Sequence, residues 1–155
     1  MVFRDAIYLN SLLVHSETWY FISKKNMEAL NEADAKFFQV CFQSHSKTCR
    51  DAYYMETGKQ KVMHIIAKRC LMFLFNILKR DNSQTLKKFY LVQRAWPTRN
   101  DWILQINNDK LKYDISMNDN EISQMSKSQF KKYTYKLIQR HKVNFVILTI
   151  QKYRK

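Results

Sequence analysis

The sequence predicts an all-α fold, an irregular bundle of about six to seven helices, and three observations carry that expectation. Gly58 and Pro97 are the only glycine and proline in 155 residues, and a many-stranded sheet needs far more glycine for its tight turns. Apolar residues recur at three- and four-residue spacing along most of the chain. Serine, threonine and asparagine stand where those periodic stretches begin, placed to accept from the unpaired N–H groups of a helix's first turn.

The elements follow in order. A first helix is expected from about Phe3 to Val14, with Ile7, Leu9, Leu12 and Leu13 as its apolar residues and room to continue towards Tyr20. Ser23 caps a long second helix in which Met27, Leu30, Phe37, Phe38 and Phe42 share a face, with Asp34 a polar intruder among them. Ser46 or Thr48 opens a short third helix through Tyr53, Tyr54 and Met55, closed by Gly58 in a left-handed cap. The fourth, Gln60 to Lys79, carries the densest apolar stripe, from Val62, Ile65 and Ile66 to Leu74, Phe75 and Leu78, and is expected at the centre of the core. Asp81-Asn82-Ser83 interrupts the chain, and Ser83 caps a fifth helix through Leu86, Phe89, Tyr90 and Val92 that ends at Trp96-Pro97, because proline pushes its predecessor out of helical geometry. Thr98 or Asn100 begins a sixth with Trp102, Ile103, Ile106 and Leu111. Asp114 to Asn120 reads as a polar connection, Asn120 to Met125 as a short helix, and Ser126 or Ser128 as the cap of a last helix from Gln129 towards Tyr153. The β-branched run Val143 to Ile150 fits a strand as well, since periodicity does not decide a short apolar stretch.

No internal repeat, linker or shift of composition divides the chain, so residues 1–155 are expected to form one helical domain. Its 27 Lys and Arg against 13 Asp and Glu leave a net charge of +14, which favours a polyanionic partner: nucleic acid first, an anionic membrane surface second. Hydrophobic residues at 46% and aromatics at 14% are too abundant for a disordered basic tail. Three cysteines, an odd number, with charged residues where a secretory leader would be apolar, point to a reducing compartment, nuclear or cytoplasmic, and not to secretion. The richest apolar run, Cys70 to Leu78, is broken by Asn76 and flanked by basic residues, so it reads as a buried helix face and no membrane partner is expected.

Motifs for chemistry are weak. Cys41-x3-His45-x3-Cys49 lacks the second ligand pair of a zinc site, so no metal or other cofactor is expected. A Cys–His nucleophile has no supporting third group, a single glycine cannot build a phosphate-cradling loop, and no adjacent aspartate pair exists to hold magnesium for polymerisation. The chain is therefore expected not to be an enzyme. Basic residues interleaved with aromatics are the stronger pattern: Lys68-Arg69, Lys87-Lys88 beside Phe89-Tyr90, and Lys131-Lys132 beside Tyr133 and Tyr135. No acidic residue follows Glu121, while Lys127, Lys131, Lys132, Lys136, Arg140 and Lys142 do. Cations displace counterions from phosphates, and tyrosine stacks on bases without much sequence preference.

Five blocks carry a family resemblance. They are R-D-A-I-Y-L-N-S-L-L-V-H-S-E-T-W-Y from Arg4, S-K-T-C-R-D-A-Y-Y-M-E-T-G from Ser46, I-I-A-K-R-C-L-M-F from Ile65, the stretch from Gln93 through W-P-T-R-N-D-W-I-L-Q-I to Asn107, and E-I-S-Q-M-S-K-S-Q-F-K from Glu121. In that order they resemble the region beyond the palm in reverse transcriptases of non-LTR (LINE-type) retrotransposons. The departures are Cys49 and Lys61 where the family tends to have proline, and Cys70 in place of the second arginine of a basic pair. The resemblance implies the thumb and following connector of an RNA-directed DNA polymerase, truncated or decayed, without palm or endonuclease. Such a fragment would grip RNA or an RNA–DNA duplex through its backbone, with Lys68, Arg69, Lys87, Lys88, Lys131, Lys132, Lys136 and Arg140 as contacts, while a palm in cis or in trans did the chemistry. The rival expectation is a remnant whose helices once packed on a palm, with Trp19, Trp96 and Trp102 as candidates for that exposed docking face, although the buried core is the expected home of each.

Overall fold

The computed structural model describes residues 3–18, 22–96 and 102–153, with the side chains of 145, 146 and 148–153 excepted. In chain order a wide π-type turn (Arg4–Tyr8) runs into α1 (Leu9–Leu12), and a 3-10 turn (Ser16–Thr18) leads to α2 (Lys24–Phe42), α3 (Arg50–Thr57), α4 (Val62–Leu78), α5 (Thr85–Ala95), α6 (Trp102–Lys112), α7 (Asp119–Gln124) and α8 (Lys127–Tyr153). No strand occurs among the described residues, and the protein is all-α.

Helix α4 is the axis. Ten of its 17 residues are buried, on more than half of its circumference, as expected of a helix that other elements surround. Helices α2, α5, α6, α7 and α8 all pack on it. Helix α8 docks through Phe130, Thr134 and Ile138, one ridge at four-residue spacing, all 1% exposed or less. Phe130 stacks on Phe75 of α4 with ring centroids 5.1 Å apart. A second, aromatic cluster of Phe38, Tyr53 and Tyr54 joins α2 to α3. Asp119, at the start of α7, accepts from Tyr90 and from Arg94 (2.6 Å) of α5 and from Lys110 (3.1 Å) of α6, fastening the short helix to both.

Several expected boundaries shift, for local reasons. The first helix stops at Leu12, because Leu13 and Ser16 both turn inward to full burial and His15 between them takes a left-handed φ of 54°. Ser23 caps α2 as expected, accepting from Asn26 N–H at 3.2 Å. Cys49, not Ser46 or Thr48, stands at the start of α3, and Gly58 ends that helix at φ 64°. Gln84 rather than Ser83 precedes α5, without a side-chain cap. The expected start of the sixth helix, Thr98 or Asn100, lies outside the described residues, as does Trp19. The connection from Asp114 contributes Ile115 to the core, and Asn118 forms a reciprocal capping box with Glu121 that starts α7 just before the expected Asn120. Ser126 caps α8, exchanging hydrogen bonds with Gln129 at 3.2 and 2.9 Å. The run Val143 to Ile150 is helical, a continuation of α8, since extending an existing helix adds a hydrogen bond per residue at no nucleation cost.

Candidate nucleic-acid interface

Burying Phe130, Thr134 and Ile138 turns the opposite side of α8 outward, because the helix repeats every 3.6 residues or so. Lys132, Lys136 and Arg140 lie at four-residue spacing on that outward side, and all three are exposed, as are Lys127 and Lys131. Among the described residues no carboxylate forms an ion pair with any of these five. Like charges at i and i+4 destabilise a helix by roughly 0.2–0.5 kcal/mol per pair, and no carboxylate among the described residues offsets that here. The ridge is thus a surface of unbalanced positive charge on a rigid element.

The other expected contacts divide sharply. Lys68, half-buried on α4, places its ammonium 5.8 Å from the ring centre of Tyr135 on α8, so it joins the same side of the molecule. Arg69 is engaged internally. Its guanidinium donates to the Leu13 carbonyl, to Asn10 Oδ1 (2.8 Å) and to Ser16 Oγ (3.3 Å), which tie the N-terminal turns to α4. Lys87 is 8% exposed and donates to the Leu78 carbonyl at 3.1 Å. It closes the end of α4, where carbonyls lack helical partners and a cation is favoured. As a phosphate contact Lys87 is therefore corrected to a structural residue, while Arg69 lines the cleft beside α8 with its guanidinium held by those three acceptors. Lys88 is exposed, but on α5, whose neighbours are α4 and α6.

A cleft unanticipated from the sequence opens beside the ridge. Tyr135 and Gln139 of α8 face Ile65 and Lys68 of α4 and the loop Gly58 to Gln60 across a space of about 360 Å³, with Asp5 and Asn10 along one edge. Lys142 donates to the Gly58 carbonyl and holds the loop to α8. Asp5 accepts from Lys59 and from Arg4 (3.0 Å), so its charge is matched. The residues meeting here come from distant parts of the chain, from Asp5 in the first turn to Gln139 in the last helix. Sequence adjacency flagged the Lys68-Arg69 pair, and Tyr135 through its basic neighbours, but not that they meet.

Away from the cleft, His64 and Cys70 are buried and held neutral. His64 (4% exposed) shares a 2.8 Å hydrogen bond with Tyr113, and the His141 ring stands 5.7 Å away. Burial, reinforced by Lys112, brings His64 down to about 3. Burial, reinforced by Asp109, pushes the Cys70 thiol up to about 12, so it stays protonated and unreactive near neutrality, donating weakly to the Ser16 carbonyl at 3.6 Å. Cys41, His45 and Cys49 do not converge with one another: among the described residues no group of three or more His, Cys, Asp or Glu could hold a metal ion. No described helix is long and apolar enough to cross a membrane.

Comparison with family models, with curated proteins and with solved structures finds no match to this chain.

Proposed function

We propose that this protein binds nucleic-acid backbone with little sequence preference, as a non-catalytic thumb and connector fragment of a non-LTR retrotransposon reverse transcriptase. The observation that carries the binding is the unpaired row Lys132, Lys136 and Arg140 on α8, flanked by Lys131. The ancestry rests on the five sequence blocks. RNA or an RNA–DNA duplex is the substrate class, and a palm domain, in cis or in trans, would supply the chemistry.

Four phosphate contacts from these side chains would make log Kobs for duplex binding fall with log [salt] with a slope of about −3 to −4. Replacing Lys132, Lys136 and Arg140 together with alanine should flatten that slope by about 2 to 3. Fluorescence anisotropy across a salt series reads both quantities. A wild-type protein that binds without a salt slope, or not at all, overturns this function.

A second reading has its own observation. Phe89 and Val92 of α5 are 64% and 55% exposed, and Trp96, which follows the helix, is 76% exposed, an apolar stripe suited to packing on a lost domain. Of the three tryptophans considered for that role, Trp102 is in the core, the expected home of each, buried at 6% and donating to the Glu17 carbonyl at 2.8 Å. Sedimentation velocity separates the readings: a remnant self-associates through the stripe, whereas a binding module runs as one species at moderate salt.

A further inference from the structure

We propose that the cleft beside the α8 ridge takes a single unpaired nucleotide, its base stacked on Tyr135 and its phosphate held by the Lys68 ammonium. This rests on the reading that the protein binds nucleic acid, and it names which form of nucleic acid the site distinguishes. The space of about 360 Å³ lies near the small end of ligand-site sizes, enough for one nucleotide and too small for a duplex. Tyr135 lines it with 49% of its surface open, and an aromatic ring on a rigid helix is a sequence-tolerant platform for a base. Lys68 stands within cation–π distance of that ring and has no carboxylate partner among the described residues, so a phosphate next to the stacked base meets a charge already in position.

Gln139 follows Tyr135 by one helical turn and lines the same space, offering both a donor and an acceptor to a base edge. Such an amide serves any base, which suits binding without sequence preference. The acidic edge does not oppose the phosphate, because Asp5 is matched by Arg4 and Lys59. Beyond Gln139 around the helix come Lys132 and Lys136, so a strand leaving the cleft passes directly onto the ridge. Paired bases are stacked inside their helix and cannot reach Tyr135. The ridge therefore serves single strand and duplex alike, and the cleft adds affinity only for a strand with an unpaired base.

The test compares a short labelled single strand with its blunt duplex by fluorescence anisotropy, on the full chain. Stacking of one base is worth about 1–3 kcal/mol, so Tyr135→Ala should weaken single-strand binding about 5- to 150-fold and leave duplex binding unchanged. Tyr135→Phe should bind as wild type, and Lys68→Gln should reduce the single-strand salt slope by about 0.7. Equal losses on both ligands, or no loss on the single strand, overturn the cleft while leaving the ridge standing. Absence of binding by the wild-type chain overturns both.

Discussion

Arg4 is 1% exposed, an unusual place for a guanidinium, and every one of its nitrogens is used. Nε and Nη2 donate in parallel to the two oxygens of Asp34 (2.9 and 2.6 Å), Nη2 also to the Gln60 carbonyl (3.0 Å), and Nη1 to Asp5 (3.0 Å). Tyr54 donates to the same carboxylate at 2.8 Å, and the guanidinium lies 4.7 Å over the Phe38 ring. Four separate segments meet at one buried ion pair. Its net worth against an apolar replacement is small, but removing one partner strands a charge. Asp34→Ala should cost about 3–5 kcal/mol in urea unfolding, and pairing Arg4→Met with Asp34→Leu should recover most of it. A single mutant within ~1 kcal/mol of wild type would show that water reaches the site. The intrusion of Asp34 into an apolar stripe was legible in the sequence. Its partner, 30 residues upstream, was not, because no periodicity connects the N-terminal turn to α2.

At the scale of elements, α4 meets α8 and the end of α6 through His64, Tyr113 and His141, and this junction gives stability an opposed pH dependence. His64 is brought down to about 3 from an ordinary 6.5, so the fold favours its neutral form. Its contribution is complete above 6.5 and is lost as pH falls towards 3. Burial, only partly countered by Gln105, pushes Asp109 of α6 up to about 6 from 3.8, the reverse case. Its contribution is complete below 3.8 and is lost as pH rises through 6. Between about pH 6.5 and 5 the two partly cancel. Urea midpoints of His64→Leu should therefore rise on acidification through that window, and those of Asp109→Asn should fall more steeply than wild type. Parallel profiles for all three proteins would refute the assignment. Helix ends set by one residue, such as Ser23 and Gly58, could be read directly, and Ser126 was one of two candidates for the last cap. The break at Leu13 could not, since it exists only because Leu13 and Ser16 both find the α4 core.

Over the whole molecule, a net charge of +14 sits on one helical bundle, and the charge is arranged unevenly. Arg4, Arg69 and Lys87 are engaged in internal bonds, while α8 carries a row that no carboxylate among the described residues pairs with. Self-repulsion of that row should be relieved by any polyanion that binds the native state. Inorganic polyphosphate at 100 times its dissociation constant should raise unfolding free energy by about 2.7 kcal/mol. The same addition should have a much smaller effect on the protein with Lys132, Lys136 and Arg140 replaced. Thermal unfolding with and without polyphosphate reads the difference, and an equal rise in both proteins would place the anion elsewhere.

Helix content, the central position of α4 and the basic character of the C-terminal helix were properties of the sequence alone, because apolar spacing, caps and the scarcity of glycine act within a few residues. Which cations remain free was decided by the tertiary structure. Lys87 and Lys88 are neighbours in sequence, yet one closes α4 from inside the protein and the other faces solvent. Lys68 and Arg69 both line the cleft, yet only Arg69 is tied by hydrogen bonds to the first turns. A side chain's charge follows from its identity, but whether that charge is already satisfied depends on carbonyls and carboxylates that only folding brings within reach.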